Sequence, residues 1–143
     1  DKDKHFRTLV RLAKRWRHFH AIAGLKSFHI ELILGYLVDR DGAANSIEQR
    51  FREFLAYIAQ TQLSERIDFP ENEGKPKSAF SDPVIIIDPA SPENNVASRI
   101  TQAEKENIAK AAEISLDTAT YASVENDIEI WQEIFGPRFK TRD

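Results

Sequence analysis

The stretch DPVIIIDPASPENNVA, residues 82–97, interrupts a sequence whose other segments have helical periodicity, and it decides the fold class. The apolar residues from Val84 to Ile87 predict a short strand, bounded by Asp-Pro pairs and followed by a second Pro-containing turn that ends near Asn95. A single strand of four residues leaves its backbone groups without partners. We therefore expect this segment either to be an extended loop or to pair with a part of the protein outside this sequence.

Outward from this stretch, hydrophobic periodicity predicts a mainly α domain of four helices, at roughly 4–20, 28–38, 47–64 and 102–135. Ser27 is predicted to cap the second helix, and capping boxes open the third and fourth (Ser46-x-x-Gln49 and Thr101-x-x-Glu104). The second helix is apolar on nearly every side, Phe28 included, so we expect it to be buried. A kink is expected near Glu125, and Gly136-Pro137 ends the last helix.

Composition excludes several classes of protein. The chain has 143 residues, of which 41% are hydrophobic, with nine Phe and two Trp, so it can form the packed core of a single domain. No apolar run is long enough to span a bilayer, and the charged start is unlike a signal peptide. The absence of Cys excludes disulfides, thiol catalysis and Cys-based zinc sites. These features predict a cytoplasmic protein without membrane contact. An initial Asp instead of Met suggests either a piece of a longer chain or a processed chain.

Charge is concentrated at one end of the sequence. Residues 1–30 hold eight basic and two acidic side chains, a formal net charge of +6, whereas the rest holds twelve basic and twenty-one acidic, a charge of −9. Helical spacing places five basic residues of the first helix in one stripe opposite its apolar side: Arg7, Arg11, Lys14, Arg15 and His18. Such a stripe suits the phosphates of a nucleotide or of a nucleic-acid backbone. The alternative is the solvated face of an amphipathic helix.

The candidate metal ligands are weak. His18 and His20 are two residues apart on a helix and point in different directions, so surface or interface roles are expected. The pair Asp39-x-Asp41 lies at a helix end beside Gly42, where Asp is a common turn residue, and Glu125-x-Asp127 is weaker still. The sequence thus predicts no metal site in this chain.

Four ordered segments resemble a known family: LVRLAKRW (9–16), KSFHIEL (26–32), DPVIIIDPASPENNVA (82–97) and WQEIFG (131–136). Together they resemble the C-terminal helical half of the oligoadenylate-synthase-like nucleotidyltransferases. The closer similarity is to the bacterial cGAS/DncV-like group, the CD-NTases of CBASS anti-phage defence. The resemblance covers about residues 5–139, and its most specific part is the segment at 82–97.

The resemblance implies a second lobe of the polymerase-β type, with a Gly-Ser motif and acidic residues that bind two Mg²⁺ ions. This sequence contains no Gly-Ser dipeptide, and Asp39-x-Asp41 falls in the wrong half. Residues 1–143 are therefore expected to form a single domain whose catalytic lobe is not in this chain. Mg²⁺ or Mn²⁺ would be bound by that lobe, and the strand at 84–87 would pack against it.

Nucleotide-binding residues are also implied by the resemblance. Lys14 matches the helix lysine that reaches nucleotide phosphates across the cleft, and Ser27 and Phe28 match positions that touch the donor nucleotide. Animal oligoadenylate synthases commonly have Gln and Tyr there, so Ser-Phe fits the bacterial branch better. Arg11 is a weaker match. No catalytic residue is expected in this chain itself.

These expectations combine into one functional hypothesis and an alternative. The chain is expected to be part of a nucleotidyltransferase that makes cyclic or linear oligonucleotide second messengers from NTPs, with its own catalytic lobe, nucleic acid or CBASS accessory proteins as further partners. The alternative is a helical module without catalysis that binds nucleic acid through the +6 segment, or that binds another protein.

Overall fold

The computed structural model describes residues 3–43 and 45–140 of the chain. Within these ranges it contains five α-helices, a two-stranded hairpin and a short 3₁₀ turn at Pro70–Asn72. In chain order the elements are α1 (Phe6–Phe19), α2 (Ser27–Asp41), α3 (Ile47–Thr61), β1 (Ile87–Asp88), β2 (Ser91–Asn95), α4 (Gln102–Glu125) and α5 (Ile128–Phe135). The predicted mainly α class is therefore confirmed.

The prediction of one continuous helix at 102–135 was wrong, because the chain breaks after Glu125. Asn126 adopts a left-handed conformation with φ of 52°, which Asn tolerates better than most residues. The Asp127 carboxylate then accepts the backbone N–H of Glu129 at 2.9 Å and caps α5. The predicted kink thus becomes a full helix boundary.

Two of the three predicted caps are confirmed, but only Thr101 forms the complete capping box, with its N–H donating to Glu104. The Gln49 side chain donates to Glu53 instead of accepting from Ser46. The hydroxyls of Ser46 and Thr101 accept the N–H groups of Gln49 and Glu104 at 3.2 and 3.1 Å. The predicted cap at Ser27 was wrong, because α2 begins at Ser27 and its cap position is Lys26. The N–H of Lys26 donates to the ring of His29 at 2.9 Å, so the Ser27 hydroxyl takes no part in this cap.

The bounds predicted for the strand, 84–87, were wrong. Of the two alternatives given for this segment, a pairing partner outside this sequence was also wrong, because the partners lie within the chain. The strand β1 is Ile87–Asp88, and it pairs with β2 in antiparallel orientation. Ile67 completes the pairing on the other side, since its N–H donates to Ile85 and its carbonyl accepts from Ile87 at 3.0 and 2.9 Å. The second strand escaped prediction because its sequence, Ser-Pro-Glu-Asn-Asn, lacks the β-branched residues typical of strands.

Asn95 completes the hydrogen bonding of this segment from the end of β2. Its amide oxygen accepts the N–H groups of Ile86 and Ala97 at 2.8 and 3.0 Å. Its amide nitrogen donates to the Val84 carbonyl and to the Asp82 carboxylate at 2.8 and 3.0 Å. One buried side chain therefore supplies the partners that another strand would provide.

Trp16 fixes α1 in the centre of the helical layer. The side chain is fully buried, its indole N–H donates to the Ser115 hydroxyl of α4 at 2.9 Å, and its ring meets Phe54 of α3 edge-to-face. Small residues on the inner face of α4 let it pack closely against α3: Ala109, Ala112, Ala119 and Ala122. In the part of the chain that the structure describes, no helix combines the length and apolar character needed to cross a membrane.

Candidate nucleotide-binding seam

The boundary between α1 and α2 carries the candidate site. Lys14 Nζ lies 4.0 Å from Glu31 Oε2, and Arg17 Nη1 donates to the Ser27 hydroxyl at 3.3 Å. Arg17 follows Lys14 along α1, but its partner Ser27 precedes Glu31 along α2. The two helices therefore run antiparallel. Lys14 and Ser27 therefore lie about one turn apart along one surface, which we call the α1–α2 seam and define by Lys14, Arg17, Ser27 and Glu31.

Lys14 is available to a ligand in this arrangement. Its side chain is 39% exposed and that of Glu31 is 51% exposed. An ion pair at such exposure and at 4.0 Å stabilises a fold by little, about 0–1 kcal/mol. The ammonium group can therefore leave Glu31 for a phosphate without disturbing the helices.

Arg17 orients the hydroxyl of Ser27. Its guanidinium also donates to the Leu25 carbonyl at 3.1 Å, so it joins the loop before α2 to the end of α1. A guanidinium can only donate, so the Ser27 oxygen accepts and its own hydrogen is left for another acceptor. Ser27 lies in the first turn of α2, where the helix dipole favours negative charge. The hydroxyl is thus prepared to donate to an anion.

Phe28 lies beside the seam and faces outward. The expectation that it would be buried with the rest of α2 was wrong, because its side chain is 45% exposed. Its ring rests against the ring of His29, with centroids 4.3 Å apart. An exposed ring that packs against a second, buried ring is a suitable surface for stacking of a nucleobase.

His29 supports the seam from inside. It is buried, Nδ1 accepts the Lys26 N–H, and Nε2 lies 2.9 Å from the Val96 carbonyl, to which it donates in the neutral form. The ring therefore joins the start of α2 to the segment after β2. Desolvation by burial lowers the pKa of His29 below its ordinary 6.5, so it is uncharged at neutral pH.

We expect the stability of the fold to fall as the pH drops below 6.5. In this range the unfolded chain protonates His29 while the folded chain, with its lower pKa, does not, so protons favour unfolding. The His29→Gln variant should have a lower free energy of unfolding at pH 7. The part of the pH dependence of stability that this ring causes should disappear. Thermal denaturation between pH 7.5 and 5 measures both, and an unchanged slope in the variant would exclude this role.

The basic stripe predicted on α1 does not act as one surface. Arg15 Nε donates to the Phe135 carbonyl at 2.9 Å, and its guanidinium lies over the Phe139 ring. Arg11 lines a groove on the α5 side of α1, whereas Lys14 faces α2. The structure therefore brings Lys14, Ser27 and Phe28 to one surface and places Arg11 on another.

One residue of each acidic pair has a structural role. Both oxygens of Asp41 accept from the guanidinium of Arg40 at 2.8 Å, and Asp127 caps α5. In residues 3–43 and 45–140 no three His, Asp or Glu side chains are grouped so that they could hold a metal ion. Among the described side chains, therefore, no such group fits a bound Mg²⁺.

Sequence reasoning missed three residues of this region: Arg17, Glu31 and His29. Arg17 lies outside the stripe that helical spacing selected, and its partner Ser27 had been explained as a helix cap. The signal available was the pair of polar residues Ser27 and Glu31 at i and i+4, which places both on one face of α2.

Comparison with known proteins gives the family context. A CBASS oligonucleotide cyclase CdnC of Escherichia coli (strain KTE188) is 54% identical over 143 residues, which are 100% of this chain and 45% of that protein. A cyclic AMP-AMP-AMP synthase of Escherichia coli (strain MS 115-1) is 38% identical over 146 residues, 96% of this chain and 46% of that protein. No protein-family model matches the chain.

Solved structures agree with these sequence matches. The structure of E. coli MS115-1 CdnC with ATP matches with a TM-score of 0.88 at 35% identity, over 98% of this chain and 47% of that one. The E. coli MS115-1 CdnC:HORMA-deltaN complex matches with a TM-score of 0.85 at 34% identity, over the same shares.

The fold is that of a part of the E. coli MS115-1 CdnC structures. More specifically, the chain is homologous along its whole length to part of the CBASS oligonucleotide cyclases, which confirms the resemblance to the bacterial CD-NTases. The chain spans about half the length of the curated relatives that it matches.

Proposed function

We propose that this chain is the C-terminal helical half of a two-lobed nucleotidyltransferase that makes cyclic or linear oligonucleotide second messengers from NTPs in CBASS anti-phage signalling. The observation that carries the proposal is 54% identity to a CBASS oligonucleotide cyclase over all 143 residues. The α1–α2 seam supports it, because a cation, a hydroxyl donor and an exposed aromatic ring lie along one surface.

In this proposal the seam forms the wall of the cleft that faces the nucleotide phosphates. Lys14 contacts the triphosphate and stabilises the charge that develops on the leaving pyrophosphate. Ser27 donates its hydroxyl hydrogen to the donor nucleotide, and Phe28 stacks on its base. Arg11 also binds nucleotide, but from the groove on its own side of α1.

Metal chemistry belongs to the other lobe in this proposal. Mg²⁺ or Mn²⁺ would supply charge neutralisation at the triphosphate, and the described part of this chain contributes no group of ligands for it. The residues of this chain bind and orient the nucleotide. Because such an enzyme consumes the cellular pool of NTPs, we place it in the cytoplasm.

The partner proposal rests on one relative. E. coli MS115-1 CdnC has been solved in a complex with HORMA-deltaN. We propose that the protein carrying this chain likewise binds a CBASS accessory protein. We place nucleic acid second, because the basic residues of α1 are divided between two surfaces and Arg15 is bonded to α5.

The test is product formation by the full-length protein that carries this chain. Incubation with radiolabelled NTPs and Mg²⁺, with and without the accessory protein, is expected to give a labelled product that phosphatase cannot degrade. Omission of the divalent cation should abolish it. If neither Mg²⁺ nor Mn²⁺ supports such a product in the presence of the accessory protein, the proposal of an active synthase is wrong.

A further inference from the structure

A groove of about 610 Å³ lies between α1, the start of α3, and α5 with the segment that follows it. Its volume falls within the ~300–1,000 Å³ typical of small-molecule sites. Phe51 and Phe135 form its buried floor, and Trp131 and Phe139 are partly exposed at its walls. The groove shares no lining residue with the α1–α2 seam, whose residues Lys14 and Arg17 contact α2.

The charge of this groove is positive. Arg11 and Lys140 both line it, and neither forms an ion pair with any residue that the structure describes. The acidic side chain here is Glu48, and its Oε2 already accepts from Arg52 Nη2 at 3.0 Å and from the Ser123 hydroxyl at 3.1 Å. Arg11 and Lys140 are therefore available to bind an anion.

The walls are suited to an aromatic ring. Trp131 stacks on Phe135 with an interplanar angle of 12° and centroids 6.2 Å apart, so its indole is held in place. Arg15 lies 5.4 Å from the centroid of the Phe139 ring and fixes the opposite wall.

We propose that this groove is a second nucleotide site, which binds a nucleoside monophosphate with its base on Trp131 and its phosphate between Arg11 and Lys140. The combination of a rigid aromatic surface and two unpaired cations matches a ligand that carries both a planar ring and a phosphate. This inference rests on the proposed function in its assignment of Arg11 to nucleotide binding. Binding in the groove is measured without product formation, so this inference and the synthase activity can fail separately.

The test is calorimetric titration of the full-length protein with AMP, adenosine and inorganic phosphate. The Arg11→Ala/Lys140→Ala variant should bind AMP roughly tenfold more weakly, because charge-assisted contacts to the phosphate are lost. Its affinity for adenosine should not change. Arg138→Ala removes a positive charge just outside the groove and is the matched control, with wild-type affinity expected for AMP.

A second variant tests the aromatic wall. Trp131→Leu should weaken both AMP and adenosine, whereas Trp131→Phe keeps an aromatic ring and should retain binding of both. The proposal is overturned if AMP does not bind at millimolar concentration, if Lys14→Ala and not the double variant abolishes binding, or if the double variant loses affinity for duplex nucleic acid but not for AMP.

Discussion

Asn95→Ala is expected to lower the free energy of unfolding by about 3 kcal/mol. The substitution removes the shared acceptor of the Ile86 and Ala97 N–H groups and the donor to the Val84 carbonyl, and it leaves three backbone groups buried without partners. Urea unfolding of the 143-residue chain, followed by tryptophan fluorescence, measures the loss. Amide exchange at Ile86 and Ala97 should accelerate in the same variant.

Asn94→Ala is the matched control for this prediction. Asn94 is the preceding residue of β2, is exposed, and makes a single side-chain bond to Asp88 at 3.3 Å. Loss of this hydrogen bond should lower the free energy of unfolding by less than ~1 kcal/mol. If the two alanine variants are equally stable, the hydrogen bonds of Asn95 do not hold this segment together.

Lys14→Ala is expected to reduce kcat of the full-length enzyme roughly 100-fold, the loss typical when one stabilising donor is removed from a transition state. The fold should be unaffected, because the ion pair of Lys14 with Glu31 is long and exposed. Steady-state rates of pyrophosphate release measure the effect. Lys14→Arg keeps the charge and should recover part of the rate.

The Glu31→Gln variant shows whether Lys14 acts by binding nucleotide or only by stabilising the fold. If Lys14 served only its ion pair, Glu31→Gln and Lys14→Ala would be equally harmful. If Lys14 binds phosphate, removal of Glu31 frees the ammonium group, and the rate should be equal to or above wild type. Lys110→Ala removes an exposed cation of α4 that is paired with Glu113, and it controls for the change in net charge.

The sequence specified those parts of the fold whose signals are local. Ser46 and Thr101 were recognisable as caps because each is followed three residues later by Gln or Glu, although only Glu104 accepts the cap residue's N–H. The break at Asn126 was recognisable only as a kink, since the apolar periodicity of 102–135 continues across it. Likewise, β2 is defined by pairing with β1 and by the Asn95 side chain, and not by its own residue types.

The sequence identified Lys14, Ser27 and Phe28 as candidate site residues, but it did not show how they are arranged in space. Lys14, Ser27 and Phe28 lie at one surface of the structure, and their roles toward nucleotide stay predictions. The position of Arg11 on the other side of α1 depends on how α5 packs against α1, which helical spacing within α1 cannot show. Arg17 was missed for the same reason, because its function follows from a contact with α2.

Photocrosslinking of the full-length protein with 8-azido-ATP tests most directly whether the α1–α2 seam faces the nucleotide. At low micromolar concentration the label is expected on the peptide that contains Ser27 and Phe28, and excess ATP should prevent it. The amount of label should fall in Lys14→Ala. Labelling confined to residues 126–140, or absent from this chain while the other lobe is labelled, would contradict the assignment of the seam as a wall of the nucleotide cleft.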